Sequence, residues 1–390
     1  MKYQRQLLGM AAWLLMTSLY GCEPALKRND KQLLVAQSTL ENEKPSNNTV
    51  KIALLLDTSN SMDGLIDQAK AQLWDIVNKF AHAKCGKDQA PKLEIALYQY
   101  GNDNLSSREG YIQQVLDFSP DLDEISEKLF SLTTNGGEEF CGQVIQKSLN
   151  QLEWGRNADH LKMIFIAGNE PFTQGRLDYR DAAVQAKEKD IIVNTIFCGN
   201  YEQGIRTEWK RGAILTGGEY TAIDHNKQTV YIETPYDDII IKLNSKLNST
   251  YISYGTKGKQ KLQIQADQDG NAMEMEEVVA VKRAVSKSSR LYKNSSWDLV
   301  DAVEEDVTAL SKIDKNQLPE ELKDKSPKEM EVYIQKKKAE RERIQQEILE
   351  LNQKRNAYIA KNQKEDSKGE LENAMLKAIE KQAARKNYKW

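Results

Sequence analysis

Histidine and cysteine are scarce in this chain of 390 residues, with three of the first and four of the second. Neither C-x-x-C nor H-E-x-x-H occurs, and His82, His160 and His225 stand far apart, which leaves no spacing suited to a zinc site. The usual catalytic arrangements are missing too. There is no Ser/His/Asp order in a nucleophile-elbow context and no phosphate loop, so the chain reads as non-enzymatic. Excess charge of one sign is also absent. A formal net charge of -3 is far from the basic footprint of a nucleic-acid binder, and nucleic acid is not expected as a partner. Aromatic residues make up 7% and charged residues 29%, so a large fraction lies outside any dense core and should sit in one region.

Long apolar runs are lacking as well. Leu7 to Met16 is apolar behind the positive Lys2 and Arg5, but Glu23, Lys27 and Arg28 follow before a membrane-spanning length is reached. Residues 1–21 therefore read as a secretory signal. The segment closes on Leu19-Tyr20-Gly21-Cys22, which resembles the bacterial lipobox, with Tyr20 bulkier than the small residue usual there. That resemblance implies acylation of Cys22 and a membrane-anchored lipoprotein of the cell envelope, on its periplasmic or surface face. Residues 22–48 are polar and read as a tether. Cys85, Cys141 and Cys198 remain for an oxidising compartment, enough for one pair and one odd thiol.

From residue 49 the pattern changes. "TVKIALLLD" (49–57) is a continuous apolar run of strand length, as in a parallel sheet buried on both faces. Ile66, Ala69, Leu73, Ile76, Val77 and Phe80 then recur at helical spacing. Strands at 92–101, 162–168, "IIVNTIFCG" and "EYTAI" alternate with helical segments, the last being "YDDIIIKLNSKLN". The run at 111–118 follows its predecessor too closely for a helical crossover, which predicts an antiparallel pair. The fold class expected is α/β, a doubly wound and mostly parallel sheet over 49–250, followed by a helical C-terminal region.

Beyond 250 the alternation breaks down. Residues 251–311 read as a partly helical connecting region and 312–390 as a long-helix region, with one helix over 327–362. Its apolar seam, Met330, Ile334, Ile344, Ile348, Leu351 and Tyr358, is interrupted by Lys337, Arg341 and Arg355. A continuous coiled coil does not place so many charges at core positions. A solvated helix laying part of one face on a neighbour is favoured, and a coil joining copies into a homo-oligomer is the alternative.

In an open α/β sheet, ligands bind beyond the carboxyl ends of the strands where strand order reverses. Asp57-Thr58-Ser59-Asn60-Ser61 stands in such a loop, offering one carboxylate and two hydroxyls. These are hard oxygen donors of the kind that suit Mg²⁺. The same residue types also make turns and helix caps, and Ser61 or Asp63 could cap the next helix without any ion.

The first strand, this D-x-S-x-S loop and the element order over about 49–250 resemble the von Willebrand factor type A domain. The resemblance implies a metal-ion-dependent adhesion site in which Asp57, Ser59 and Ser61 hold Mg²⁺ or Mn²⁺, leaving one position for a carboxylate of a protein ligand. A second-loop Thr and a third-loop Asp complete the family's site. In "TTNGGEEFCGQVI" the Thr position falls nearest Glu138, with Thr134 a few residues earlier, and in "IAGNEPF" Gly168 stands where the Asp would, followed by Asn169 and Glu170. The expected variant metal set is thus Asp57, Ser59, Ser61, Glu138 and Thr134. Cys141 and Cys198 belong at the same rim, either as a disulfide or as two buried thiols, and Asp103 reads as a turn residue there. The function expected is a lipid-anchored envelope protein that binds a protein ligand. The alternative is a structural or assembly lipoprotein with a degenerate site, its contacts made by C-terminal helices.

Overall fold

A computed structural model describes residues 48–85, 90–226, 231–362 and 370–390. The signal segment, Cys22 and nearly all of the tether lie outside the described residues. In chain order the first part runs β1 (Thr49–Asp57), α1 (Asp63–Ala81), β2 (Lys84–Cys85), β3 (Lys92–Tyr100), β4 (Ile112–Ser119), α2 (Leu122–Phe130) and α3 (Cys141–Gln151). It continues through β5 (Leu161–Gly168), α4 (Tyr179–Glu188), β6 (Ile192–Cys198), α5 (Tyr201–Arg206), α6 (Trp209–Ile214), β7 (Tyr220–Ile223) and α7 (Asp237–Asn248).

Six of these strands form one sheet in the order β4-β3-β1-β5-β6-β7. Every neighbouring pair is parallel except β3 with β4, which is antiparallel as the short connection predicts. The apolar run of β1 serves both faces: Ile52, Leu54 and Leu56 join one core with α1 and α2, while Ala53 and Leu55 join the other with α3, α4 and Trp209 of α6. Strand order reverses at β1, between β3 and β5. The carboxyl end of β1, at Asp57, therefore opens into the crevice where an α/β sheet binds ligands.

After α7 come α8 (Gly258–Met275), α9 (Glu277–Lys287), α10 (Leu299–Glu305), α11 (Ala309–Lys312), α12 (Glu320–Lys323), α13 (Pro327–Asn362), α14 (Glu370–Ala384) and β8 (Tyr388–Lys389). Residues Pro45–Trp390 cluster as one unit, so the segments expected beyond 250 are built onto the α/β core. α7, the helix after the last strand of the sheet, packs on α9 and α13. The sheet face beside α1 is finished by the far end of the chain: Leu371 and Met375 of α14 share a core with Leu54, Leu56, Phe165, Ala167 and Ile196 and line a small cavity with them. Asn194 of β6 and Gln382 of α14, both buried, exchange side-chain hydrogen bonds. β8 then pairs antiparallel with β2, and Lys79 of α1 pairs with Glu380 and stands 4.5 Å from the centre of the Trp390 ring.

The charges that interrupt the seam of α13 have partners within this chain. Arg341 donates to Asp298 at 2.7 Å, to Asp301 at 2.8 Å and to the Thr250 carbonyl at 2.9 Å, with its guanidinium over the Tyr251 ring. Arg355 reaches Asp237 at the start of α7 at 2.8 Å, and Lys337 donates to the Ser249 carbonyl at 2.9 Å. Met330, Ile334, Ile344 and Ile348 are buried against the same chain. α13 is a strap over its own domain, which is why polar residues stand in its seam. No helix among the described residues is long and apolar enough to cross a membrane.

Candidate cation site at the end of the first strand

Asp57 is fully buried. Its Oδ1 accepts from the Ser59 backbone N–H at 2.8 Å, and its Oδ2 has no hydrogen bond of normal geometry. Burial pushes the carboxyl up to about 7, against the pull of the Ser59 N–H and hydroxyl and of the Asn169 N–H. Two glycines make the space around it. A Cβ at Gly168 would lie 2.9 Å from Asp57 Oδ2 and 2.5 Å from the Tyr100 hydroxyl, and one at Gly101, where φ is +75°, would lie 2.9 Å from Oδ1. A side chain in place of Gly168 could not enter this space without displacing Asp57 or Tyr100.

Backbone bonds hold three loops together here. The Thr58 N–H donates to the Tyr100 carbonyl at 2.8 Å, and the Asn135 N–H donates to the Thr58 carbonyl at 3.0 Å. The Asn102 amide donates to the carbonyls of Thr58 and Thr133. The loop after β1, the loop after β3 and the loop before α3 thus converge on one point.

Capping does not account for the hydroxyls. α1 begins at Asp63 with no side-chain cap hydrogen bond, and none is made by Ser59 at the short turn before it. Ser59 is buried, and Ser61 Oγ accepts from the Asn169 side-chain amide at 3.1 Å. Ser59 thus touches Asp57 directly, and Ser61, two residues further along the same loop, is tied to Asn169 of the loop after β5.

The expected second-loop partners are placed otherwise. The Thr134 hydroxyl donates to the Asp63 carboxylate, and the Glu138 side chain is exposed. The neighbour of Glu138 takes the inner place: Glu139 is 6% exposed, and the Cβ position at Gly101 that lies 2.9 Å from Asp57 Oδ1 lies 2.7 Å from Glu139 Cγ. Its Oε2 accepts from the Gln174 amide at 3.3 Å. Burial pushes the Glu139 carboxyl up to about 7, with Asp57 and then Glu170 adding to the effect. Asp103 is exposed, and its N–H donates to the Gly136 carbonyl, which suits the turn role expected of it.

The disulfide reading is corrected: Cys141 and Cys198 are free, buried thiols. Cys141 Sγ lies 3.9 Å from the Tyr100 hydroxyl, and burial pushes both thiols well above their usual range. They fill the core beneath the site.

Two residues stand outside the expected metal set. Asn169 orients Ser61 and carries a buried Oδ1 with no partner, and Glu139 faces Asp57. Their signal was position alone, one residue past the end of β5 and two residues before the start of α3. Among the described residues there is no group of three or more His, Cys, Asp or Glu side chains able to hold a metal ion. The donors here are a carboxylate oxygen, an amide oxygen and two hydroxyls, which is oxygen chemistry fit for a hard divalent cation that keeps waters. The unpartnered buried Asp57 Oδ2 fits such an ion, because a carboxylate oxygen taken from water is costly to leave unmatched.

Comparison with solved structures finds similar folds at low identity. Proximal thread matrix protein 1 of the mussel byssus, solved with a zinc-occupied MIDAS motif, is 13% identical with a TM-score of 0.35, over 46% of this chain and 43% of that one. BatB from Bacteroides thetaiotaomicron is 15% identical with a TM-score of 0.34, over 45% of this chain and 90% of that one. The pilus adhesin SpaC from Lactobacillus rhamnosus GG is 13% identical with a TM-score of 0.33, over 45% and 28%. The chain thus spans less than half of the mussel protein and of the adhesin. Curated proteins yield no match. A sequence model of one family does match, over residues 51–205, from the first strand through the three converging loops and past β6. Those residues are a von Willebrand factor type A domain.

Proposed function

We propose that this chain is a binding module that uses a divalent cation, Mg²⁺ or Mn²⁺, at the end of β1 to recognise a protein ligand. Asp57 would hold the ion through Oδ2, with the hydroxyls of Ser59 and Ser61 beside it. The ion supplies a positive centre able to take an oxygen from a partner. The chain's own residues keep the site open, with Gly101 and Gly168 leaving room at the carboxylate and Asn169 fixing Ser61. The observation that carries this reading is the buried, unpartnered Oδ2 of Asp57 at the switch point of the sheet. Acylation of Cys22 would anchor the module to the cell envelope.

Calorimetric titration of residues 45–390 with Mg²⁺ and with Mn²⁺ tests it. The wild type should bind at least one of the ions and melt at higher temperature in its presence, and Asp57→Ala should do neither. No heat and no thermal shift with either ion, for wild type and variant alike, would end the reading.

A further inference from the structure

We propose that Glu139 supplies a second carboxylate to the cation held at Asp57, in place of the acidic residue that Gly168 removes from the loop after β5. This rests on the reading that Asp57 holds a divalent ion. It assigns a ligand that the D-x-S-x-S motif does not contain, and it takes Glu138 out of the set.

The geometry starts from Gly101. It stands directly after β3 at φ +75°, a conformation that favours glycine. Because no side chain rises from it, Glu139 Cγ and Asp57 Oδ1 both come within 3 Å of the point its Cβ would fill, at 2.7 Å and 2.9 Å. The two acidic side chains face each other across that gap with no wall between them. The backbone of Gly137 is equally close to this strand end, since a Cβ there would lie 2.6 Å from the Gly101 carbonyl oxygen. The loop before α3 is thus pressed against the end of β3, and its next inward side chain is that of Glu139.

Burial sorts the two glutamates. Glu138 is exposed, whereas Glu139 is 6% exposed just before Phe140 and the fully buried Cys141 at the start of α3. A carboxylate is not buried without compensation. The donors to Glu139 are its own backbone N–H and the Gln174 amide, both neutral. The charges acting on it are those of Asp57 and Glu170, both negative. Asp57 shows the same imbalance, with an Oδ2 that has no partner and Glu170 adding to its difficulty. Asn169 Oδ1, a second buried oxygen without a partner, belongs to the loop after β5. Acidic side chains alone would not make a site. Here a buried oxygen without a partner, Asp57 Oδ2, independently calls for a positive ligand in this space.

A divalent ion between Asp57 and Glu139 would match the two charges, and the loss of an acidic residue at Gly168 would cost the site no net charge. The exchange also explains why a glycine is needed at 168. With Tyr100 and Asp57 so close, a side chain there could not be seated while the Asp57 carboxylate kept its place.

Titration of the full chain with Mn²⁺ at pH 7.5, read by calorimetry and by the free-ion electron paramagnetic resonance signal, tests the assignment in four proteins. Wild type and Glu138→Gln should bind with equal affinity, Glu139→Gln at least tenfold more weakly, and Glu139→Asp in between, because it keeps the charge on a shorter arm. Melting in EDTA checks that Glu139→Gln is folded; the neutral amide should melt no lower than wild type. If Glu139→Gln and Glu139→Asp both bind Mn²⁺ as wild type does, the assignment is wrong while the cation reading of Asp57 stands. If wild type takes up no Mn²⁺, both fall together. A tenfold loss in Glu138→Gln with none in Glu139→Gln would return the role to Glu138.

Discussion

Asp57 pays a cost that a cation would relieve, and that cost has a pH signature. Its carboxyl is pushed up to about 7 in the folded chain, against about 3.9 when unfolded. Between these values the folded state binds more protons than the unfolded one, so stability falls as pH rises through the window. The penalty is absent below pH 4 and complete above pH 7. In EDTA, Asp57→Asn should therefore be more stable than wild type at pH 8, by up to about 4 kcal/mol, and equal to it at pH 4. Denaturant melts at the two pH values measure this; equal stabilities at both would show that the carboxylate is not strained. At this scale the sequence was legible in part. D-x-S-x-S at the end of an apolar run marked the buried Asp57 at the rim of the sheet, because the apolar strand ends there. It could not separate Glu138 from Glu139, since a loop has no period and one residue decides which side chain faces inward.

Among the elements, α14 and α13 carry the clearest predictions. Ile379 of α14 is fully buried in the core that contains β1 and α1. Ile379→Ala should cost about 2–5 kcal/mol, measured by urea denaturation, a loss as large as for a residue within 49–250. A cost near zero would mean that α14 is a surface addition. Arg341→Met should cost about 3–5 kcal/mol, because it leaves Asp298 and Asp301 buried without their guanidinium; the same melts read it, and an unchanged midpoint would refute the strap. The strands were legible because parallel strands are apolar on both faces, and β4 because its connection is short. The destination of α14 was not. An amphipathic pattern says which face is apolar, not which surface it will meet, and here it meets a sheet more than 170 residues earlier in sequence. The charges in α13 argued against a coil, but their buried partners come from Thr250, Asp298 and Asp237, far from any sequence window.

Taken whole, the chain carries a type A domain over residues 51–205 against which its own C-terminal helices pack, with a candidate cation site at one rim of the sheet. Met330, Ile334, Ile344 and Ile348 of the seam that could have joined copies are spent inside the molecule, so a chain lacking residues 1–22 should scatter light as a monomer in the presence or absence of Mg²⁺. Removing residues 370–390 would uncover Leu54, Leu56, Phe165 and Ile196 and should abolish a cooperative melt. The central claim is that a divalent cation sits on Asp57, and anomalous diffraction from crystals grown in Mn²⁺ tests it most directly. The account predicts a manganese peak within coordination distance of Asp57 Oδ2, beside the hydroxyls of Ser59 and Ser61. A map with no peak there, at millimolar Mn²⁺ and with Asp57 still buried, would contradict it.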